Sequence, residues 1–155
     1  MKTLILRILL IILAFALLPL ASFAQDSSAP TADFAGHWKG QWGDAAGYIY
    51  SADMQLNAGS DGAILGKINW TLLESPNAED QVKLGMTGIE FVHGKYDPAS
   101  RVLTFEGISK TDPNNILGLD KYKLLLADND NVIGGITLNN GSWRGVFSLT
   151  RAVSN

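Results

Sequence analysis

The sequence predicts an all-β protein: a single up-and-down antiparallel β-barrel of about eight strands over residues 32–153, with an open β-sandwich as the structural alternative. Three observations lead there. Apolar and polar residues alternate with period two in segment after segment. The segments are separated by short clusters of Gly, Asp, Asn and Pro, and no stretch after the first two dozen residues reads as a helix. The first and last segments echo each other, Trp38-x-Gly40-x-Trp42 and Trp143-x-Gly145-x-Phe147, as the two edges that pair when a small barrel closes.

Taken in order, the first strand runs from Phe34 to Gly43, with Phe34, Gly36, Trp38, Gly40 and Trp42 on its inner face. After a turn at Gly43–Gly47, Tyr48, Tyr50, Ala52, Met54 and Leu56 form the inner face of a second strand. Ile64, Gly66, Ile68, Trp70 and Leu72 do the same for a third, and Glu74–Asp80 is the longest polar connection. Ile89–Tyr96 reads as a strand in either of two phases. One buries Glu90, Val92, Gly94 and Tyr96; the other buries Ile89, Phe91 and His93, and a bulge near His93-Gly94 would permit both. Leu103, Phe105 and Gly107 point inward on the fifth strand, and Tyr122, Leu124 and Leu126 on the sixth. Val132, Gly134, Ile136 and Leu138 are assigned to the inner face of the seventh. Asn140-Gly141 is a strong hairpin signal before the last strand, whose inward phase carries Trp143, Gly145, Phe147, Leu149 and Arg151. Links of this length join antiparallel neighbours, so the simplest topology is a meander.

Residues 1–24 are read as a signal peptide. Lys2 and Arg7 precede an apolar run from Leu9 to Leu20, and Ser22-Phe23-Ala24 places small residues at the positions a signal peptidase reads, giving cleavage after Ala24. No Cys follows, which excludes a lipid-anchored lipoprotein. The expected location is the periplasm or the exterior, without stable membrane insertion once the signal is removed. Residues 25–31, polar and ending near Pro30, read as a flexible leader. Loss of Lys2 and Arg7 makes the chain more acidic than its starting net charge of −3, and no basic cluster remains. A nucleic-acid surface is therefore not expected. With no cysteine at all, thiol chemistry and Cys-ligated metals are excluded.

Gly36-x-Trp38 on the first strand and Arg151 in the inward phase of the last resemble the calycin-type barrels, the group that includes lipocalins and avidin-like proteins. The resemblance implies that Arg151 lies over Trp38 and closes one end of the barrel. Gly36-x-Trp38-x-Gly40 is also similar to the opening of nitrobindin-type haem barrels, but those use a late histidine and this chain has none after His93. The helix usual before the last lipocalin strand, the polar ring of avidin-like biotin sites and the disulfide of barrel-type periplasmic inhibitors are likewise missing from the sequence. The chain most resembles exported bacterial barrels without an assigned ligand.

Function is read as binding rather than catalysis. His37 falls in an outward phase, and Glu90 and His93, three apart on a strand, point to opposite faces. No nucleophile elbow, zinc-protease motif or phosphate loop is present, and no metal site, cofactor or catalytic residue is expected. Asp128-x-Asp130 lacks the ligand spacing of a calcium loop. The inward aromatic residues are the best clue, because buried tyrosines need partners for their hydroxyls. Tyr48, Tyr50, Trp70, Glu90, Tyr96 and Trp143 are the expected ligand-binding residues for a small apolar or amphipathic molecule in the barrel mouth, with Trp38 and Arg151 as the structural closing pair. The rival expectation is a protein-interaction or inhibitor module acting through the leader and the 74–80 loop.

Overall fold

The computed structural model describes residues 34–138 and 144–152. The signal peptide, the leader, the Asn140-Gly141 hairpin and Trp143 lie outside the described residues. Eight antiparallel strands run β1 (Gly36–Asp44), β2 (Ile49–Ala58), β3 (Ala63–Glu74), β4 (Thr87–Asp97), β5 (Val102–Thr111), β6 (Lys121–Leu126), β7 (Val132–Thr137) and β8 (Gly145–Arg151). Each pairs with its neighbour in sequence, and β1 pairs with β8, so the sheet is a closed up-and-down barrel with no free edge. Closure excludes the open sandwich. The β1–β8 register sets Trp38 opposite Arg151 and Trp42 opposite Phe147.

The inner faces expected for β1, β2, β3, β5, β6 and β8 line the core. Two assignments resolve differently from a simple alternation. On β4, Glu90, Val92 and Tyr96 are buried, whereas Phe91 is exposed. The irregularity that accompanies this strand lies on its partner: Phe91 pairs with Ser109 and Val92 with Gly107, leaving Ile108 as the extra residue of a bulge in β5, not one at His93-Gly94. On β7 the phase is the reverse of the expectation. Ile133 is 0 % exposed and Ile136 47 %, with Val132 and Leu138 also turned out. Both faces of Val-Ile-Gly-Gly-Ile-Thr are apolar, so hydrophobicity does not select between them. Thr137 does: its Oγ1 accepts from the Gly145 amide at 2.8 Å and from Trp42 Nε1 at 3.3 Å inside the barrel.

The links also depart from the expected pattern. Short 3₁₀ turns form at Ser60–Gly62 and Ala78–Lys83. The β5–β6 connection spans Asp112–Asp120 and is not a tight turn, so Glu74–Asp80 is not the only long link.

One end of the barrel is sealed by its own side chains. The Arg151 guanidinium carbon lies 4.3 Å from the Trp38 ring centroid. Arg151 also donates to the Asp130 carbonyl at 2.9 Å and to the Ala35 carbonyl at 2.8 Å, while Trp38 Nε1 donates to the Phe34 carbonyl at 3.1 Å. Gly36 is what lets the guanidinium in: a Cβ there would sit 2.7 Å from its nitrogen, and φ of +138° is in any case unfavourable for an L side chain. Tyr96 packs against Phe34 at the same end, 4.9 Å between centroids with the rings tilted at 44°, and its buried hydroxyl has no hydrogen-bond partner among the described residues.

Replacing Arg151 by Ala removes the cation–π contact and two carbonyl contacts together and is expected to lower stability by about 2 kcal/mol, read from urea unfolding midpoints. Tyr96→Phe deletes a buried unsatisfied hydroxyl and is expected to leave stability equal or higher in the same assay.

Candidate functional site

The opposite end of the barrel is hollow. A cavity of about 400 Å³ opens there, walled by Trp42, Tyr50, Trp70 and Leu72, with Glu90 below and Tyr48 and Asp80 at the rim. Its remaining wall is the β5–β6 connection, from Asn115 to Asp120.

That connection is built as a cover. The Asp112 carboxylate accepts from the Ile116 amide at 3.0 Å, the Leu117 amide at 2.8 Å and Lys110 Nζ at 3.1 Å, folding the segment back on itself. Burial pushes the Asp112 carboxyl up, but the two amides and Lys110 outweigh it and hold the group below the usual carboxylate range. Asn115 takes φ of 50°, a left-handed conformation that asparagine tolerates. Tyr50 then fastens the cover to the barrel wall by donating to the Ile116 carbonyl at 2.7 Å. Burial, with the nearby tyrosine Tyr48 and the carboxylates Asp80, Asp112 and Asp120, raises the Tyr50 hydroxyl well above its ordinary value, so it stays a neutral donor.

Glu90 is 1 % exposed and is the only carboxylate in the buried core among the described residues. Three donors converge on it. Tyr122 donates to Oε2 at 2.5 Å and Trp70 Nε1 to the same oxygen at 3.1 Å; the Asp120 amide donates to Oε1 at 3.0 Å. The carboxyl fits because its neighbour on β5 is glycine: a Cβ on Gly107 would lie 2.0 Å from Oε1. Arg151, the other inward-phase charge, is at the other end of the barrel, engaged with Trp38. Burial pushes the Glu90 carboxyl up to about 7 against the pull of Tyr122, the Asp120 amide and Trp70, and the Asp120 carboxylate pushes it the same way as burial.

The rim is closed by a second, polar cluster. Asp80 accepts from Ser75 Oγ at 2.9 Å and from the Tyr48 hydroxyl at 3.4 Å and pairs with Lys83 at 3.2 Å; the Asn77 side-chain amide donates to Tyr48. Ser75 and Lys83 hold the Asp80 carboxyl below its ordinary range. Lys83 reaches on to the Asn115 carbonyl at 3.4 Å, joining this cluster to the cover.

Of the residues expected from the sequence, Tyr48, Tyr50, Trp70 and Glu90 meet at the cavity. Tyr96 does not: it shares a face with Glu90 but packs at the sealed end. Trp143 is outside the described residues. Trp42, Ile116 and Asp120 line the cavity without having been singled out. Trp42 carried the signal of inward phase, whereas Ile116–Asp120 carries no alternation that would mark it. His37 and His93 are on the outer surface, His37 paired with Asp53 at 2.5 Å. Among the described residues no cluster of His, Cys, Asp and Glu suits a metal ion. No family model matches the chain, and neither the curated proteins nor the solved structures contain a significant match to it. The eight-stranded antiparallel barrel is compatible with a calycin-like fold.

The raised Glu90 carboxyl sets a pH dependence of stability. Its folded-state value, about 7, lies above the ordinary 4.5, so the protonated form favours the fold. Its contribution is complete below pH 4.5 and is lost as pH rises through 7, a change on the order of 3 kcal/mol. Asp80 and Asp112 act with opposite sign, their contribution falling away as acid protonates them below the ordinary 3.8. Urea midpoints are therefore expected to rise as pH falls from 8 to about 5 and to turn down in stronger acid; Glu90→Gln is expected to flatten the upper limb alone.

Proposed function

We propose that this protein is a non-enzymatic binding module that holds a small amphipathic molecule in the open end of the barrel. The observation that carries the reading is the cavity of about 400 Å³ itself, which is within the size range of small-ligand sites and combines an aromatic wall with a few fixed polar groups. The rest of the interior is packed: Phe105, Tyr122 and Phe147 fill the centre and Trp38 seals the far end. On this reading the ligand sits at the mouth, with its entry bounded by the Asp112–Asp120 cover and the Ser75–Lys83 segment.

Binding is favoured over catalysis by the state of the ionisable groups. Both Glu90 oxygens already accept hydrogen bonds, and neither histidine lines the cavity. Export through the signal segment is part of the same reading. Among the described residues no helix is long and apolar enough to cross a membrane. The barrel's outer face carries Lys39, Asp53, Lys67, Lys95, Glu106 and Lys123, unlike the apolar belt of a membrane barrel. The rival reading, protein capture through the 74–80 loop, gains less support, because Ser75, Asn77 and Asp80 are spent on the rim's own hydrogen bonds.

The neutral fluorophore N-phenyl-1-naphthylamine tests the reading. It is expected to bind with a micromolar Kd and to brighten on entering the cavity. Leu72→Trp, which puts a ring into the cavity from its wall, is expected to weaken binding at least tenfold while preserving the β-sheet circular dichroism. Equal binding by both proteins would place the fluorophore elsewhere and overturn the assignment.

A further inference from the structure

The floor of the cavity is a group whose charge responds to what lies beside it. Glu90 lines the cavity yet is 1 % exposed. Elsewhere it is enclosed by protein: the Trp70 indole and the Tyr122 hydroxyl on Oε2, the Asp120 amide on Oε1, and Gly107 against the carboxyl group. All three donors are neutral. The ionised carboxylate therefore draws on them and on the solvent that can enter the cavity, whereas the protonated carboxyl needs far less of either. An apolar group seated on this floor replaces solvent by hydrocarbon, and a medium of lower polarity disfavours the charged form. The geometry also shows where a proton fits. Oε1 faces an amide, which can only donate, while Oε2 faces the Tyr122 hydroxyl, which can accept as well as donate. A proton on Oε2 points at Tyr122 and leaves the amide bond to the cover in place.

We propose that ligand binding is coupled to protonation of Glu90: the site takes uncharged amphipaths, and seating one on the cavity floor draws a proton from solution onto Oε2. The barrel then holds its ligand in mildly acidic surroundings and releases it as the medium turns alkaline. The proposal rests on the reading of the cavity as a ligand site and adds its regulation. The sign follows from linkage. The Glu90 carboxyl titrates at about 7 in the ligand-free barrel and higher with the floor covered. Affinity is therefore greatest where Glu90 is already protonated and falls as pH rises through 7. Facing Glu90 are Tyr122 from β6, Asp120 from the cover and the Trp70 indole from β3. Lys110, its register partner on β5, is turned to Asp112 and the Leu117 carbonyl. Tyr48, Tyr50 and Asp80 stand across the mouth. Burial pushes the hydroxyls of Tyr50 and Tyr122 upward, so both stay neutral near pH 7, and Asp80 and Asp112, held low by their donors, stay ionised there. Both histidines are on the outer surface.

Two uncharged probes test the coupling. N-phenyl-1-naphthylamine is titrated against the full barrel at pH 6.0, 7.0 and 8.5, with circular dichroism checking the fold at each pH. Its Kd is expected to rise about fivefold from pH 6.0 to 8.5. Calorimetry with octanol at pH 7.5, in phosphate and in Tris, reads the proton itself, because the two buffers differ in ionisation enthalpy. Uptake of a fraction of one proton per octanol bound is expected. Glu90→Gln cannot ionise at this position, so its Kd for the fluorophore is expected to be the same at pH 6.0 and 8.5. The calorimetric measurement needs no variant and decides the matter even where Glu90→Gln fails to fold. Binding that is equal at the three pH values, or that takes up no proton or releases one, overturns the coupling and leaves the ligand site standing. Binding of neither probe at any pH overturns both.

Discussion

Glu90 accepts hydrogen bonds from three separate pieces of chain: the Trp70 indole on β3, the Tyr122 hydroxyl on β6 and the Asp120 amide in the connection between β5 and β6. The open end of the barrel depends on that convergence. Without it the Asp112–Asp120 segment would keep its internal turn and its ties to Tyr50, Thr87, Gly107 and Lys110 on the strands and to Lys83 at the rim, but would lose its anchor to the floor of the cavity. A buried carboxyl is expensive unless its oxygens are satisfied, and here they are satisfied by neutral donors rather than by a cation. The outcome is a group held at the edge of ionisation near neutral pH, in the floor of a cavity. Structural fastening and chemical sensitivity reside in the same side chain.

The two ends of the barrel solve the same problem differently. At one end Arg151 supplies the charge and Trp38 the ring, and the contact between them fills the space. Through the centre runs a chain of rings, Tyr50, Trp70, Phe147, Tyr122 and Phe105, with successive centroids 4.8–5.9 Å apart. Such edge-to-face and offset contacts resist collapse, since each ring is braced by the next. At the other end the aromatic wall continues as the lining of the cavity, with Trp42, Tyr50 and Trp70 around it and the Asp112–Asp120 connection across it.

The fold was largely legible because most strands alternate between a clear apolar face and a clear polar one. β7 was not, since Val132 and Ile136 compete with Ile133 on equal terms and a single threonine hydroxyl decides the phase. The phase of β4 was decided by Tyr96 and Val92, which carry Glu90 inward with them. Shared phase gives the face of a residue but not its height. Glu90 and Tyr96 lie on the same face of β4, yet six residues of strand separate them by about 20 Å, enough to put one in the cavity and the other against Phe34. The cover was illegible for another reason. Ile116-Leu117-Gly118-Leu119 shows no strand or helix period, and its shape comes from hydrogen bonds to the Asp112 side chain, which resembles an ordinary turn residue in sequence.

The account turns on one buried carboxyl group, fastened by three donors, in the floor of an aromatic cavity. Its most direct measurement is the pH titration of the Glu90 side-chain carboxyl carbon by NMR. The account predicts a midpoint about 7. A midpoint at the ordinary 4.5 would contradict it.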